Sequence, residues 1–562
     1  MNMNGEVNEM EAAKENIQFS SQISEKIWGH RFKDGQRGPE YTLEFLNIMA
    51  GTEYEFGNKY YARKKMEEFR KFVFEGSKEG AKTKDDSSNY VEFDEKRKKD
   101  IIDDLGIDSS ELEDLQSFFK NLTVQMTTSS GKMLNRSWYA TMLFPLHESL
   151  LYFELRTNKQ SKKTAFERNF FARGGELYYL MITYGTENDI ELRKKIESRL
   201  KSIMRQNKSI TGVVDRICEN LGDDYKIDLK HPQNPATLIK DPSLEGIIPN
   251  YKTREYPKLP DNNLEIYHHF AVELNALLQL DIDLYELFGL LTSLICFQLH
   301  RYMLYQAEKE SEQQNIYFID CLDGQDSHVK RLAQDSHSKH ETSIQKRFDA
   351  YTEVRLSKLL PEETAVEKLR EWKEKAGQSQ AKKEEDRYEE FLKQIEYKSV
   401  HGTKKKALIQ AIQNPDEQQA IKMLKLKIIE FSRDELAKKQ LPITRTLARD
   451  GGFITTGPGV RARYVLSDQF LCSLVYATLE QAEKMDFHDF MVELYERYNI
   501  VIGTEEAKRS GLYEREGVNL RSFENNEKKL RQKLKQNGLL QEYSDATALI
   551  RNPYMAKEGG VY

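Results

Sequence analysis

Apolar and polar positions alternate with helical periodicity over most of the 562-residue chain. "IYHHFAVELNALLQL" and "LYELFGLLTSLICFQLHRYML" predict two closely spaced buried helices, followed by a short strand at "NIYFIDCL". Residues 361–398 are dominated by Glu and Lys, with Leu369, Trp372, Phe391 and Ile395 as sparse apolar positions, and read as a solvated helical connector. From Glu417 onward Ile421, Leu424, Ile428 and Phe431 recur at helical spacing. Ser432 and Glu435 make a capping box that starts a second helix, and Pro442 opens a third, which Gly451 and Gly452 end.

In that third helix Ile443 and Leu447 are four apart and face the core, which leaves Arg445 and Arg449 on a different, exposed face. "TTGPGVRARYVL" then predicts a hairpin with Pro458 and Gly459 at the centre of a type II turn. Alternation along the return strand sends Val460, Ala462, Tyr464 and Leu466 one way and Arg461 and Arg463 the other. Helix, helix, helix, hairpin is the winged-helix order. It recurs further on: an apolar stripe of Phe487, Phe490, Met491, Leu494, Tyr495 and Tyr498, a strand at "NIVIG", and a brief helix capped by Thr504. A longer helix follows, marked by Phe523, Leu530 and Leu534, and then two strands, "LLQEY" and "TALIRNPY". The longer helix carries Lys528, Lys529, Arg531, Lys533 and Lys535 and stops at Asn537-Gly538.

The fold class predicted is therefore mainly α and multidomain: helical N-terminal and middle domains with C-terminal tandem winged-helix (α+β) modules. Six of the 13 prolines fall between Pro232 and Pro260, the strongest boundary in the chain. The expected division is a helical domain over 1–230 with a mobile loop near 75–96, a Pro-rich linker over 231–262, and a helical middle domain with its charged connector over 263–400. The first winged helix then takes 401–481 and the second 482–562.

Composition narrows the functional classes. Charged residues make up 31% of the chain at a net charge of −6, so contact with a polyanion requires a local basic patch. Cys218, Cys296, Cys321 and Cys472 lie far apart with no C-x-x-C pair, which argues against a disulfide scaffold or zinc ribbon and for a reduced, cytoplasmic setting. The polar, acidic start "MNMNGEVNEMEAAKENIQ" is unlike a signal peptide, and the run from Leu287 to Leu299 is short of the roughly 20 residues that span a bilayer, so no membrane partner is expected.

Catalytic and cofactor motifs largely fail. "TTSSGKML" lacks the first glycine of a phosphate loop, with Met126 in its place, and has Met133 after Gly131-Lys132 where Ser or Thr would hold magnesium. Cys321, Asp323, Asp326, His328, Asp335, His337 and His340 cluster in sequence without zinc-ligand spacing, and the histidines read as solvent-facing. Glu154-Leu155-Arg156 puts arginine where a carboxylate nuclease needs lysine, and Gly174-Gly175-Glu176 reads as a bend between helices. Asp320, ending the apolar "IYFID", is the one carboxylate suited to a buried role. His30, Arg31, Lys33 and Arg37 in the glycine-punctuated N-terminal loop suit either phosphate or a structural packing role. No cofactor, metal or catalytic residue is assigned.

"FKDGQRGPEYTLEFLNIM", "ERNFFARGGELYYLMI" and "GVRARYVLSDQFLCSLV" resemble the large, poorly characterised subunits of bacterial antiphage defence islands, nearest to accessory proteins of methylation-associated defence systems. The resemblance implies partner subunits of the same defence system and carries no catalytic residue over. The leading expectation is a DNA-binding and scaffold subunit that grips duplex DNA through Arg445, Arg449, Arg461, Arg463, Lys528, Lys529, Arg531, Lys533 and Lys535. The alternatives are a pure assembly subunit and an effector nuclease that uses carboxylates such as Asp320.

Overall fold

A computed structural model describes residues 24, 27–29, 32, 34–57, 67–77, 90–126, 142–151, 154–157, 164–167, 174–221, 259, 264–308, 315–395, 397, 402–455, 459–516, 520–544 and 547–555. Over these residues the protein is mainly helical. It divides into two compact units, each discontinuous in sequence: Met1–Asp34 with His300–Asn315 and Ser336–Arg445, and Gly35–Leu299 with Ile316–Asp335 and Thr446–Tyr562. Residues 401–481, read as one module, are thus shared between units at 445/446. Apart from Leu259, the Pro-rich boundary lies outside the described residues, as do 78–89 of the expected loop. The end of that loop is ordered: Tyr90–Val91 pairs antiparallel with Gly76–Ser77, and Asp94 caps the helix Glu95–Leu105 by accepting from the Arg97 N–H.

In the first unit the Trp28 ring meets Phe348 edge-on at 5.9 Å, its Nε1 donates to Gln440 Oε1, and its carbonyl accepts from the Tyr302 hydroxyl. The expected solvated connector is a packed element. Leu369, Trp372, Phe391 and Ile395 are all buried, Trp372 and Phe391 lie 5.0 Å apart, and Arg370 pairs with Glu417 on the helix Glu417–Glu435. The apolar positions are few because the helices Ala365–Gln378 and Glu389–Gln394 are narrow and bury one stripe each. Ser432 does not begin a helix. It is buried inside Glu417–Glu435, whose N-cap is Asp416, and the chain runs on through a π-turn at Leu436–Gln440 into the helix Leu441–Asp450.

In the second unit the helix Gly174–Gly185 is wedged between Gly38–Gly51 and Leu264–Leu278. Gly174-Gly175 is the first turn of that helix and not a bend. A Cβ on Gly175 would come within 2.6 Å of the Tyr41 carbonyl, so only glycine permits this approach. The Gly175 N–H donates to the Glu44 carboxylate, and that of Gly174 to Gln36, so a buried anion sits on the helix N-terminus. Further along, the Tyr178 hydroxyl donates to Gln298, which in turn donates to Glu273. Burial, with Glu273 adding, raises the Tyr178 phenol well above its ordinary range.

The apolar run Leu287–Leu299 belongs to a helix, Leu284–Glu308, that is long and apolar enough to cross a membrane by length and composition, and 89% of its apolar window is buried in the protein. Its Phe297 packs edge-on against Tyr317, Phe453 and Phe470 and lies 5.8 Å from Tyr498, which makes it the centre of an aromatic core.

The C-terminal elements run helix Phe487–Tyr498, strand Ile500–Val501, short helices Thr504–Arg509 and Leu512–Glu516, helix Leu520–Gln536, and strands Leu540–Ser544 and Thr547–Arg551. Gly503, not Thr504, is the N-cap of the brief helix, with its N–H on the Glu506 carboxylate. Strand pairing departs from the sequence reading. Thr547–Arg551 lies between Leu540–Ser544 and Lys484–Asp486, whereas Ile500–Val501 leaves that sheet to pair in parallel with Tyr317–Phe318.

His337 and His340 are buried in the first unit beside the buried His300, which corrects the expectation of solvent-facing histidines at those two positions, whereas His328 is exposed. Burial pushes the His300 imidazole down to about 3, with His337 adding to the shift. The unfolded chain takes up this proton near pH 6.5 and the folded one does not, so the contribution is fully present above that pH and lost as pH falls toward 3. Between about pH 6.5 and 5, urea unfolding of wild type should lose stability by up to about 1.4 kcal/mol per pH unit more steeply than His300→Gln. Parallel slopes would show that the imidazole carries no such penalty.

Candidate nucleic-acid interface

The nine cations assigned to DNA do not form one outward surface. Arg445 in the first unit holds Glu341 through Nε and Nη2 while keeping half its side chain exposed. Arg449 is nine-tenths buried with Nε 2.7 Å from Asp450 Oδ1, so the expected exposed arginine face of that helix is not present at Arg449. Arg461 is exposed and donates to Asp335 at 3.0 Å.

Arg463 is the clearest correction. It is buried, and its Nε donates at 2.7 Å to Oδ2 of Asp320, which is fully buried. Strict alternation predicts an outward arginine only where one face of the hairpin meets water. Here the segment pairs through its backbone with Ile454 and also with Asp320, whose N–H donates to the Tyr464 carbonyl at 3.0 Å, and Asp320 and Gly324 cover the face that carries Arg463. Val460 is instead half exposed. Gly324, at φ +83° and with Arg463 Nη2 only 3.2 Å from where a Cβ would stand, leaves room for the guanidinium. Pro458 lies outside the described residues, while Gly459 has the positive φ, +74°, that the turn requires.

The carboxylates that receive Arg461 and Arg463 lie in or directly before the segment Cys321–His340, whose residues lack zinc-ligand spacing. Asp320 takes Arg463, Asp323 takes Lys533 at 3.4 Å, and Asp335 takes Arg461. Asp326 accepts from the N–H groups of His328 and Val329 at the start of the helix Ser327–Leu359, and also from Ser522 Oγ. Cys321 is buried, which drives its thiol upward and away from reactivity. No group of three His, Cys, Asp or Glu suited to a metal occurs among the described residues. Asp320 Oδ1 accepts from the Leu322 N–H, so both oxygens of the carboxylate considered for nuclease chemistry are engaged away from solvent.

An amide that the sequence reading passed over locks this segment in place. Asn526 on the helix Leu520–Gln536 is fully buried, accepts from the Cys321 N–H and donates to the carbonyls of Ile319 and Ile502. It therefore closes the ends of both strands of the parallel pair. A polar residue at a core position of that helix, in register with Phe523 and Leu530, is the signal that could have identified it.

On the same helix Arg531 lies 4.0 Å over the Phe487 ring and near Glu527, Lys533 reaches Asp323, and Lys535 pairs with Glu542. Lys528 is exposed and Lys529 half-buried, and neither makes an ion pair among the described residues. Inward positions are Ser522, Phe523, Asn526, Leu530 and Leu534. Exposed positions are Arg521, Glu524, Asn525, Lys528, Gln532, Lys535 and Gln536, of which Arg521, Asn525, Lys528, Gln532 and Lys535 are spaced four, three, four and three apart along one stripe.

Of the earlier candidates, His30, Arg31, Lys33, Gly131, Lys132 and Met133 lie outside the described residues. Arg37 precedes the helix Gly38–Gly51, its N–H on Glu40. Glu154 to Arg156 lie in strand Glu154–Thr157, paired with Thr164–Glu167. No family model, curated protein or solved structure matches the chain.

The Asp320–Arg463 pair is buried, so removing either partner leaves an uncompensated charge or its full desolvation cost. Asp320→Asn and Arg463→Ala should each lower unfolding free energy by about 3–5 kcal/mol, against under about 1 kcal/mol for the exposed Arg461→Ala. Urea titration followed by circular dichroism measures this, and similar small losses in all three variants would contradict it.

Proposed function

We propose that the chain is a DNA-contacting scaffold subunit of a prokaryotic antiviral defence complex, with its grip on duplex DNA confined to the C-terminal module. The observation that carries this reading is the outward stripe Asn525, Lys528 and Gln532 on the helix Leu520–Gln536, with Lys529 beside it and neither lysine met by a carboxylate among the described residues. Lysine and arginine on such a face neutralise phosphates, and Asn and Gln are the side chains that pair with adenine edges in the major groove. Over 17 residues the helix is about 25 Å long, enough to lie in that groove.

The order of elements from Phe487 to Arg551 supports a winged helix, in which Leu520–Gln536 is the recognition helix and the hairpin Leu540–Arg551 the wing. Its variation is that the third sheet strand, Lys484–Asp486, precedes the first helix. The defence setting rests on the resemblance of the three sequence patches. Residues 401–481 have no DNA role in this proposal, because Arg445, Arg449, Arg461 and Arg463 are each met by a carboxylate of the chain. That neutralisation favours the second reading, an assembly subunit that binds protein and no DNA.

Fluorescence anisotropy with a labelled duplex between about 50 and 200 mM salt separates the two readings. Wild type should bind with a steep salt dependence, Lys528→Ala/Lys529→Ala should weaken binding and shallow the slope by about 2, and Arg461→Ala should leave both unchanged. Absence of duplex binding, or a double variant indistinguishable from wild type, hands the function to protein assembly.

A further inference from the structure

Arg449, displaced from any DNA surface, lines a cavity of 630 Å³ in the second unit. That volume lies inside the range of roughly 300–1,000 Å³ typical of small-molecule sites. Three features of its wall specify a ligand. Phe144 and Tyr285 are stacked in parallel at 4.2 Å with an interplanar angle of 17°, and Phe288 meets Phe144 edge-on at 5.2 Å. Tyr285 remains 55% exposed, so a flat ring can extend the stack.

Arg449, nine-tenths buried, spends only Nε on Asp450, and its Nη2 has no hydrogen-bond acceptor among the described residues. Asp450 is itself committed, its other oxygen accepting the Gly38 N–H at the start of the helix Gly38–Gly51. The guanidinium is therefore a fixed cation with donor capacity left over. Gln469 supplies the third feature. Its Nε2 donates to the Gly289 carbonyl and to Ser293 Oγ, which orients the amide, and its Oε1 accepts no hydrogen bond among the described residues.

A stacking platform, a buried cation with a spare donor and a fixed amide acceptor call for a planar ring bearing an N–H donor and joined to an anionic group. We propose that this cavity is a binding site for a free mononucleotide, with the base on Tyr285 and hydrogen-bonded to Gln469, and the phosphate toward Arg449. The site is separate from the helix Leu520–Gln536 and stands or falls independently of DNA binding.

Isothermal titration of the 562-residue chain tests the assignment, with the four ribonucleoside 5′-monophosphates as probes and with adenosine and inorganic phosphate as partial ligands. At least one monophosphate should bind, and tenfold or more tighter than either partial ligand. Tyr285→Ala, a substitution at a half-exposed ring, should weaken binding tenfold or more while leaving the thermal midpoint of the unliganded protein within a few degrees. Arg449→Gln should abolish the advantage of the monophosphate over the nucleoside. Failure of all four monophosphates to bind at millimolar concentration overturns the proposal, as does binding unchanged in Tyr285→Ala or equal affinity for nucleoside and nucleotide.

Discussion

The second unit depends on one buried charge. Asp320 has no exposure to water, and a carboxylate in that position is tolerated only if a cation and hydrogen-bond donors meet it. Arg463 and the Leu322 N–H do so. The pair ties the end of the strand Tyr317–Phe318 to the segment of Tyr464, and Asn526 clamps the end of that strand and that of its parallel neighbour Ile500–Val501. From that anchor the neighbouring acids follow: Asp323 and Asp335 fall where Lys533 and Arg461 can reach them. Arg461, Arg463 and Lys533, expected on a nucleic-acid surface, instead meet Asp335, Asp320 and Asp323 in an electrostatic seam of this unit.

Elsewhere in the unit close helix packing is reached with small residues and buried acids. Gly175 lets one helix start against the backbone of another, and Glu44 sits where its charge favours the N–H groups of that start. Asp450 plays the same part for Gly38. In both places a carboxylate far off in sequence replaces the local Ser, Thr or Asp cap that sequence inspection looks for.

Much of the helical architecture was legible because its apolar stripes are local. The helices at Leu264–Leu278, Phe487–Tyr498 and Leu520–Gln536 and the final hairpin follow directly from periodicity and turn residues. What was not legible depends on partners far off in sequence. Alternation placed Arg463 outward because nothing within its own hairpin signals that Asp320 covers it. The narrow stripe around Trp372 passed for a solvated connector because its packing surface, the helix Glu417–Glu435, comes later in the chain. Ser432 carried the local signature of a helix start inside a helix that tertiary packing keeps continuous. Of the candidate site, the neighbouring lysines Lys528 and Lys529 were legible, whereas the cavity that holds Arg449 joins segments 39 to 469 and has no local signature.

The 143-residue separation between Asp320 and Arg463 also has a temporal meaning. At a synthesis rate of about 5–20 residues per second, the acidic strand leaves the ribosome roughly 7–30 s before its arginine exists. During that interval neither the carboxylate nor the edge of Tyr317–Phe318 has its native neighbour, so the nascent middle of the chain must wait in an open state for its own carboxyl end to arrive.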